Sequence, residues 1–326
     1  MILKYIVTDS KYQNINQILK QEFHISARLQ HKLIAEKHIF LNEVFVDTRS
    51  AVSENDVITV NLDFEEESEN IVPTKMELDI VYEDEALLIL DKPAGIAVHP
   101  SVLHFEDTLS NGVKYYFKSI GLKRKIRPVN RLDLNTSGLI IFAKSEYIQE
   151  CLIQQMASNL FKKEYTAIAF GRFENPKGTI NLPIARKKNS IIERCVSVHS
   201  GQTAITDYEV LQEIEINSER FSIVKCYLRT GRTHQIRVHM SAIGHPLLGD
   251  TLYGSSSETL SSSKIINRQA LHSSKISFVH PITNKILEFT SDLPLDTLIN
   301  SKIFYTLMWK VTSNEATFCC LFQIFI

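Results

Sequence analysis

Apolar side chains in the N-terminal segment follow helical spacing first and strand-like spacing afterwards. Residues 15–23 and 27–37 have the period of amphipathic helices, and Ser26 can cap the second one. The strands HIFL (38–41) and VFVD (44–47) flank a short turn, and a further strand, VITVNL, covers 57–62. This pattern predicts a small α+β domain over residues 1–63.

An acidic run, FEEESEN (64–70), follows without apolar periodicity, and such runs are usually solvated. We therefore expect residues 64–73 to form a linker. Residues 74–300 then contain short apolar runs separated by turns, as expected for a second domain. Its predicted strands are LDIVYE (78–83), ALLILDK (86–92), LIIFAK (139–144), EYTAIAF (164–170), TDYEVL (206–211), SIVKCYL (222–228) and KISFV (275–279).

Two helices are predicted among these strands, one over about 146–160 and one that starts at Thr233. The connections are too short and irregular for repeated strand–helix–strand units. The pattern therefore indicates an α+β fold with a mixed, mostly antiparallel sheet. The tail, residues 301–326, is apolar in patches but carries charges too often to cross a membrane, and we assign it no role.

Composition and charge narrow the class of protein. The chain has 326 residues, of which 44% are apolar, and its formal net charge is −1. No global positive field attracts nucleic acid, so any RNA site must be a local patch. The five cysteines, at positions 151, 195, 226, 319 and 320, show no metal-binding spacing. This scattered set suits a reducing cytoplasm, and we expect a cytoplasmic protein.

The segment RLDLNTSGLIIFAK (131–144) begins like a calcium-binding loop, because Asp133 opens a D-x-N-x-S-G pattern. Such a loop needs a bidentate Glu at its twelfth position, and that position is Lys144. Calcium is thereby excluded. Asp133 stands in a polar loop that enters a buried strand, where a turn-forming acid and a catalytic acid both fit the sequence.

A second segment of interest is 228–250, which contains the helix predicted from Thr233. Ile236 and Met240 are spaced to face the core, and Gly244 stands where a helix-ending glycine belongs. Arg237 lies beside this apolar stripe, and a guanidinium so placed usually has a carboxylate partner. On position alone, a purely structural ion pair is the simplest interpretation.

No metal or nucleotide cofactor is expected. His234, His239 and His245 do not share one face of a helix, so their spacing does not favour a metal site. The chain has neither a Walker loop nor a G-x-G-x-x-G motif.

Two further features have both a plain and a functional interpretation. Tyr165 shares a strand face with Ala167 and Ala169, which leaves space for a flat ring, although core tyrosines are common. The run KRKIRPVNR (123–131) places five cations directly before Asp133. Such runs are usually solvated surface, but this position also suits a phosphodiester substrate.

Taken together, seven segments resemble the RluA-type pseudouridine synthases, which act on uridines of large-subunit ribosomal RNA and some tRNA. They are LDKPAGIAVHPS (90–101), RLDLNTSGLIIFAKS (131–145), KKEYTAIAFG (162–171), GTINLPIAR (178–186), GQTAITDYEVL (201–211), LRTGRTHQIRVHMSAIGHPLLGDTLYG (228–254) and RQALHSSKISFVHP (268–281). Residues 13–63 resemble the S-four-like RNA-binding domain first seen in a ribosomal small-subunit protein. One departure is Asn130, where the family usually has His before Arg-Leu-Asp.

The resemblance implies a cofactor-free isomerase in which Asp133 is the essential carboxylate. It implies that Arg237 is the charge partner of this acid and that Tyr165 stacks on the uracil ring. Candidate phosphate contacts are Lys123, Arg127, Arg131 and Arg232. Residues expected to shape the catalytic loop or bind substrate are Thr136, Ser137, Gly138 and His234.

The expected partner is RNA, with large-subunit ribosomal RNA as the first choice, and the expected state is a monomer away from membranes. A tRNA synthase is the alternative within the enzyme class. A non-catalytic RNA-binding protein would have lost Asp133, Tyr165 or Arg237, and all three are present. A hydrolase would normally need a second carboxylate, and none stands near Asp133 in sequence.

Overall fold

The computed structural model describes residues 1–66, 70–216, 219–254 and 265–298. The predicted tail, 301–326, lies outside the described residues. The chain forms two compact units. Unit 1 consists of Met1–Leu134, Leu139–Lys162 and Ile276–Phe289, and unit 2 consists of Asn135–Gly138, Lys163–Lys275 and the described residues from Thr290 onward. In the part of the chain that is described, no helix is long and apolar enough to cross a membrane.

Unit 1 begins with a four-stranded sheet and two helices. The sheet has the order β1-β4-β2-β3, and its elements are β1 (Ile2–Ile6), α1 (Ile15–Gln21), α2 (Ala27–Ala35), β2 (Ile39–Leu41), β3 (Val44–Phe45) and β4 (Val57–Asn61). The hydroxyl of Ser26 caps α2 by accepting from the N–H of Leu29, as predicted. Asn42 and Glu43 form the hairpin turn with φ of 49° and 71°, as a tight hairpin requires.

The remaining elements of unit 1 surround two buried strands. They are β5 (Ile80–Glu83), β6 (Leu87–Lys92), α3 (Leu109–Ser119), β7 (Arg127–Pro128), β8 (Ser137–Ala143), α4 (Glu146–Ala157) and β16 (Ile286–Thr290). One hydrophobic cluster includes Leu19 and Leu33 of the N-terminal helices together with Ile89 of β6, Ile141 of β8 and Ile148 of α4. The N-terminal elements therefore share a core with the rest of unit 1.

Within the acidic run at 64–70, two described residues, Phe64 and Glu66, are not solvated as the composition suggested. Phe64 is buried, and the side chain of Glu66 is only 7% exposed. The carboxylate of Glu66 pairs with Arg127 at 2.7 Å and also with Lys32. Charge patterning alone missed this because the partners lie more than thirty residues away along the chain.

Unit 2 contains a sheet of order β10-β13-β14-β9-β15, in which the pairs β10–β13, β13–β14 and β14–β9 are antiparallel. Its elements are β9 (Lys162–Phe170), β10 (Lys177–Asn181), β11 (Ile184–Arg186), β12 (Arg194–Val196), β13 (Ile205–Ile216), β14 (Glu219–Leu228), α5 (Gln235–Ala242), β15 (Leu271–Val279) and α6 (Leu295–Leu298). The start of β8 pairs with β15 in parallel. The predicted mixed, mostly antiparallel sheet of an α+β fold is confirmed.

Helix α5 begins two residues later than predicted, at Gln235 instead of Thr233. The preceding residue, His234, has a left-handed φ of 55° and makes no side-chain cap. The amide oxygen of Gln235 accepts the N–H of Arg232 at 3.0 Å and the hydroxyl of Thr230 at 2.8 Å. These bonds hold the chain in a tight loop just before the helix, which delays its start.

Candidate active site

Arg237, on α5 of unit 2, makes a two-point ion pair with Asp250. Nε and Nη2 of the guanidinium donate to the two carboxylate oxygens at 2.7 and 2.9 Å. The Arg237 side chain is 8% exposed and the Asp250 side chain is 0% exposed. A carboxylate partner, expected from the position of Arg237 beside the apolar stripe, is therefore present in Asp250, and this parallel geometry fixes the plane of the guanidinium.

Tyr253 packs against the same guanidinium. Its ring centroid lies 5.0 Å from the central carbon of Arg237, within the range of a cation–π contact. Its hydroxyl bonds Nδ1 of His234 at 2.8 Å and accepts the N–H of Arg194 at 2.9 Å. Sequence reasoning singled out neither Asp250 nor Tyr253, although both stand in the segment 228–254 that carried the resemblance.

Tyr165 lies on β9 of unit 2 and is 5% exposed. It pairs with Cys226 of β14, and residues 165–170 are all buried. Both faces of this stretch of β9 are thus covered. The two small side chains predicted to flank the tyrosine face, Ala167 and Ala169, are among these buried residues.

The segment Asn135–Gly138 is held by protein groups of unit 2. Thr136 accepts from the side-chain amide of Gln269 at 3.3 Å, and the Ser137 hydroxyl bonds Nδ1 of His272 at 3.0 Å. Thr136 and Ser137 are 2% and 3% exposed. Both side chains therefore bond within unit 2 and hold the loop in place, and the substrate-binding role expected of them stays a prediction.

Gly138 opens β8 with a φ of 108°, a conformation that side chains rarely adopt. A Cβ at this position would lie 2.4 Å from the carbonyl oxygen of Ser273, which is its partner in β15. Glycine is therefore the only residue that fits this crossing of two backbones.

Asp133 lies in unit 1, in the loop between β7 and β8, and it is half-buried. The carbonyl of the next residue, Leu134, accepts the N–H of Gly95 and the ammonium of Lys92, both at 3.0 Å. Lys92 is 0% exposed and also donates to two carbonyls of its own loop at 2.8 and 2.9 Å. These contacts fix the backbone immediately after the acid.

Asn130, which replaces the usual His, secures the other end of this loop. Its amide nitrogen donates to the carbonyl of Leu139 at 3.2 Å, and its amide oxygen accepts the N–H of Ile141 at 2.9 Å. The amide thus satisfies a donor and an acceptor of β8 at once, and it is 5% exposed. A side chain with both functions can therefore hold this loop.

Most of the basic run before Asp133 is neutralised within unit 1. Lys123 pairs with Glu65 at 3.0 Å, Arg124 pairs with Asp63, and Arg127 pairs with Glu66. Arg127 is only 7% exposed and its charge is already balanced by Glu66, so its internal ion pair does not favour the phosphate contact predicted for it. Lys123 remains exposed but already has an acidic partner.

Arg131 and Arg232 keep the exposure expected of phosphate contacts. No carboxylate pairs with either one among the residues that the structure describes. Arg131 lies in unit 1, where partial burial and then the charge of Arg131 lower the pKa of His99. Arg232 lies in unit 2, where its Nε donates to the carbonyl of Thr203 at 2.9 Å.

The three histidines tested as metal ligands each bond to protein groups in unit 2. His239 is fully buried between the Thr206 hydroxyl and the Leu182 carbonyl, each at 2.9 Å. His245 bonds the carbonyl of Phe170 at 2.8 Å. Within the described ranges, no group of three or more His, Cys, Asp or Glu side chains is arranged to hold a metal ion.

Comparison with known proteins shows which protein family this chain resembles. Residues 86–242 match the family model described as RNA pseudouridylate synthase. A relative from Bacillus subtilis (strain 168), described as an uncharacterized RNA pseudouridine synthase, YhcT, is 40% identical over 279 residues, which are 86% of this chain and 89% of that protein.

Two further comparisons agree in class and fold. Ribosomal large subunit pseudouridine synthase D of Zymomonas mobilis is 38% identical over 249 residues, covering 74% of this chain and 77% of that protein. The solved structure of human RNA pseudouridylate synthase domain containing 1 has a TM-score of 0.55 and 25% identity, and the match covers 70% of this chain and 86% of that one. The chain belongs to the RNA pseudouridine synthase family and is an isomerase that acts on RNA.

Proposed function

We propose that this synthase isomerises specific uridines of large-subunit ribosomal RNA, with Asp133 as its catalytic carboxylate and without a cofactor. The substrate is supported by relatives at 38% and 30% identity that are named ribosomal large subunit pseudouridine synthase D. The observation that carries the role of Asp133 is the buried Lys92, whose ammonium holds the carbonyl next to this acid.

The reaction breaks the bond between ribose C1′ and uracil N1 and forms a bond between C1′ and C5. C5 then loses its proton and N1 gains one, so the product is an isomer of the substrate. No electrons and no outside group are exchanged. An ionised carboxylate serves both routes to this outcome, because it can add to the substrate or promote elimination at the sugar. A fixed backbone beside Asp133 keeps the acid in position while the base turns.

We assign the charge balance of this acid to Arg237. A carboxylate that must stay ionised away from water needs a cation nearby. Arg237 suits this role because Asp250 and Tyr253 hold its guanidinium in one orientation before substrate arrives. Little reorganisation is then needed during the reaction.

Tyr165 is proposed to stack on the uracil. Base–aromatic stacking contributes about 1–3 kcal/mol, and extruding a base costs a few kcal/mol. A buried, rigid ring offsets much of that cost because its own freedom is already lost.

RNA outside the pocket would be bound by exposed cations and by the N-terminal domain. We assign phosphate contacts to Arg131 and Arg232, which are exposed and have no carboxylate partner in the described part of the chain. Residues 1–63 are proposed as an S-four-like RNA-binding domain, 64–73 as its connection, and 74–300 as the catalytic domain. The enzyme would act as a monomer in the cytoplasm, where ribosomal RNA is present.

The test is pseudouridine mapping on ribosomal and transfer RNA from cells with and without this gene. We expect one or more sites in large-subunit ribosomal RNA to lose pseudouridine in the deletion strain and to regain it when the gene is restored. If pseudouridine is lost only from sites in tRNA, the substrate is tRNA and not ribosomal RNA. No lost site in either RNA would contradict the proposal.

A further inference from the structure

Lys163, near the start of β9, is a half-buried cation with no carboxylate partner among the residues that the structure describes. Among the residues that the structure describes, none forms an ion pair or hydrogen bond with its ammonium group. Burial lowers the pKa of this group. The adjacent acid, Glu164, is committed to Lys225 at 2.6 Å. A charge removed from water without a partner is costly, so the position calls for an anion from outside the protein.

The geometry of β9 relates Lys163 to the tyrosine proposed to stack on the base. Side chains alternate along a strand, so Lys163 and Tyr165 share one face and Glu164 points to the other. In the antiparallel pairing with β14, Tyr165 is opposite Cys226 and Glu164 is opposite Tyr227. Lys163 therefore reaches the point where β14 ends and the loop 229–234 begins.

That loop also carries a second cation that has no carboxylate partner among the described residues. A Cβ on Gly231 would lie 3.4 Å from Nζ of Lys163. Arg232 is the next residue and is exposed. The nearby Arg229, in contrast, forms an ion pair with Asp207 at 2.6 Å. Two cations without described carboxylate partners thus flank a position that has no side chain.

The loop is preorganised by Gln235. This buried side chain accepts from Thr230 and from the N–H of Arg232, and its amide donates to the carbonyl of Ile205 at 3.0 Å. Arg232 is anchored further through Nε to Thr203. A ligand at Gly231 would therefore meet a backbone that is already fixed.

We propose that Lys163 and Arg232 together bind one phosphate of the RNA backbone beside the uridine that is isomerised. The absence of a side chain at Gly231 lets the anion approach both cations. This site rests on the proposed stacking of the uracil on Tyr165, since the shared strand face places the phosphate next to that base. It provides a counter-ion that Lys163 lacks among the described residues, and it fixes the RNA strand at the nucleotide that turns.

The test uses Lys163→Met, which keeps the apolar stem and removes the charge. Lys162→Met is the matched control, because Lys162 is an exposed neighbour on the opposite strand face. The probe is a synthetic RNA hairpin carrying the uridine found by mapping, and binding is measured over a range of salt concentrations. The slope of log K against log salt should fall in Lys163→Met by up to about 0.7–0.9, the value for complete loss of one phosphate contact.

Two checks guard this measurement. Lys163→Arg keeps a charge at the site and should restore most of the slope, which a merely destabilised protein would not do. Lys162→Met should retain the wild-type slope. An unchanged slope in a folded Lys163→Met protein would overturn the proposal.

Neutral methylphosphonates then locate the phosphate. Placed one at a time around the target uridine, they should weaken wild-type binding at one position and cause a clearly smaller loss there in Lys163→Met. If the loss from the methylphosphonate and the loss from Lys163→Met are additive at every position, the proposed phosphate site is refuted. Wild-type conversion of the same hairpin is measured in parallel: if it fails, the proposed function fails, and if it succeeds without coupling, only the phosphate site fails.

Discussion

Asp250 has a completely buried side chain, and Arg237 compensates its charge through two hydrogen bonds. Replacing Arg237 with Met leaves that carboxylate buried without its partner. We expect the free energy of unfolding in urea to fall by roughly 3–5 kcal/mol. The exposed pair of Arg229 and Asp207 is the control, because Arg229→Met should cost less than about 1 kcal/mol.

The double variant Arg237→Met with Asp250→Leu separates fold from chemistry. Replacing both charges by apolar groups removes the buried unpaired acid, so much of the lost stability should return. Isomerisation should stay lost, because the guanidinium is absent. Recovery of activity together with stability would show that Arg237 is only structural.

Tyr165 allows stacking to be distinguished from simple packing. Tyr165→Phe keeps the ring and should retain RNA affinity, whereas Tyr165→Leu removes the aromatic face. We expect Tyr165→Leu to lose about 1–3 kcal/mol in kcat/KM, roughly 5- to 150-fold, when measured on a synthetic RNA with wild type alongside. Equal activity of the Phe and Leu variants would argue against a stacked base.

Among the secondary-structure elements, the crossing of β8 and β15 depends on one glycine. Gly138→Ala would place a methyl group 2.4 Å from the Ser273 carbonyl oxygen, and two paired backbones cannot separate without breaking their pairing. We expect this variant to be largely unfolded in thermal denaturation followed by circular dichroism.

Gly121→Ala is the control for that experiment. Gly121 also has a positive φ, of 72°, but no atom lies within 4 Å of its would-be Cβ. It should therefore cost only the conformational penalty, about 1–2 kcal/mol. Similar melting curves for the two variants would show that the close approach at Gly138 is unimportant.

Long apolar runs made most strands predictable, whereas local polar detail hid other elements. The strands β6 and β8 followed directly from LLILDK and SGLIIFA, because both are nearly continuous apolar runs. Helix α3 was missed, since its capping box uses Asn111 instead of an acid and Gly112 weakens the helical pattern. A carboxylate beside Arg237 was expected, but nothing in the spacing of α5 identified Asp250, thirteen residues further on, as that acid.

At the scale of the whole molecule, ion pairs between distant segments decide which charges are displayed. Asp63, Glu65 and Glu66 pair with Arg124, Lys123 and Arg127, respectively. The linear sequence shows one acidic and one basic run, and the fold brings them together. This is why the positive patch predicted at 123–131 shrinks, while Arg131 remains exposed.

Stability should also depend on pH through His239. Burial lowers the pKa of this ring, although its bond to the Leu182 carbonyl partly opposes the shift. Below the unfolded value of 6.5, the unfolded chain takes up a proton that the folded chain resists. The contribution of His239 to the free energy of unfolding is therefore complete above pH 6.5 and is lost as the pH falls toward the pKa of the folded state.

We expect His239→Gln to flatten the decline in unfolding free energy as the pH is lowered from about 6.5. The measurement is urea denaturation at a series of pH values. His24→Gln, at an exposed position, should leave the wild-type slope unchanged. A steeper decline in His239→Gln would contradict the expected direction of the pKa shift.

The most direct test of the account is the activity of purified Asp133→Asn on an RNA that the wild-type enzyme converts. The matched control is Asp107→Asn, which neutralises an exposed acid of the same unit that pairs with nearby His104. Wild type and Asp107→Asn should convert the target uridine, while Asp133→Asn should bind the RNA with near wild-type affinity and form no pseudouridine. Appreciable product from folded, RNA-bound Asp133→Asn would contradict the central claim.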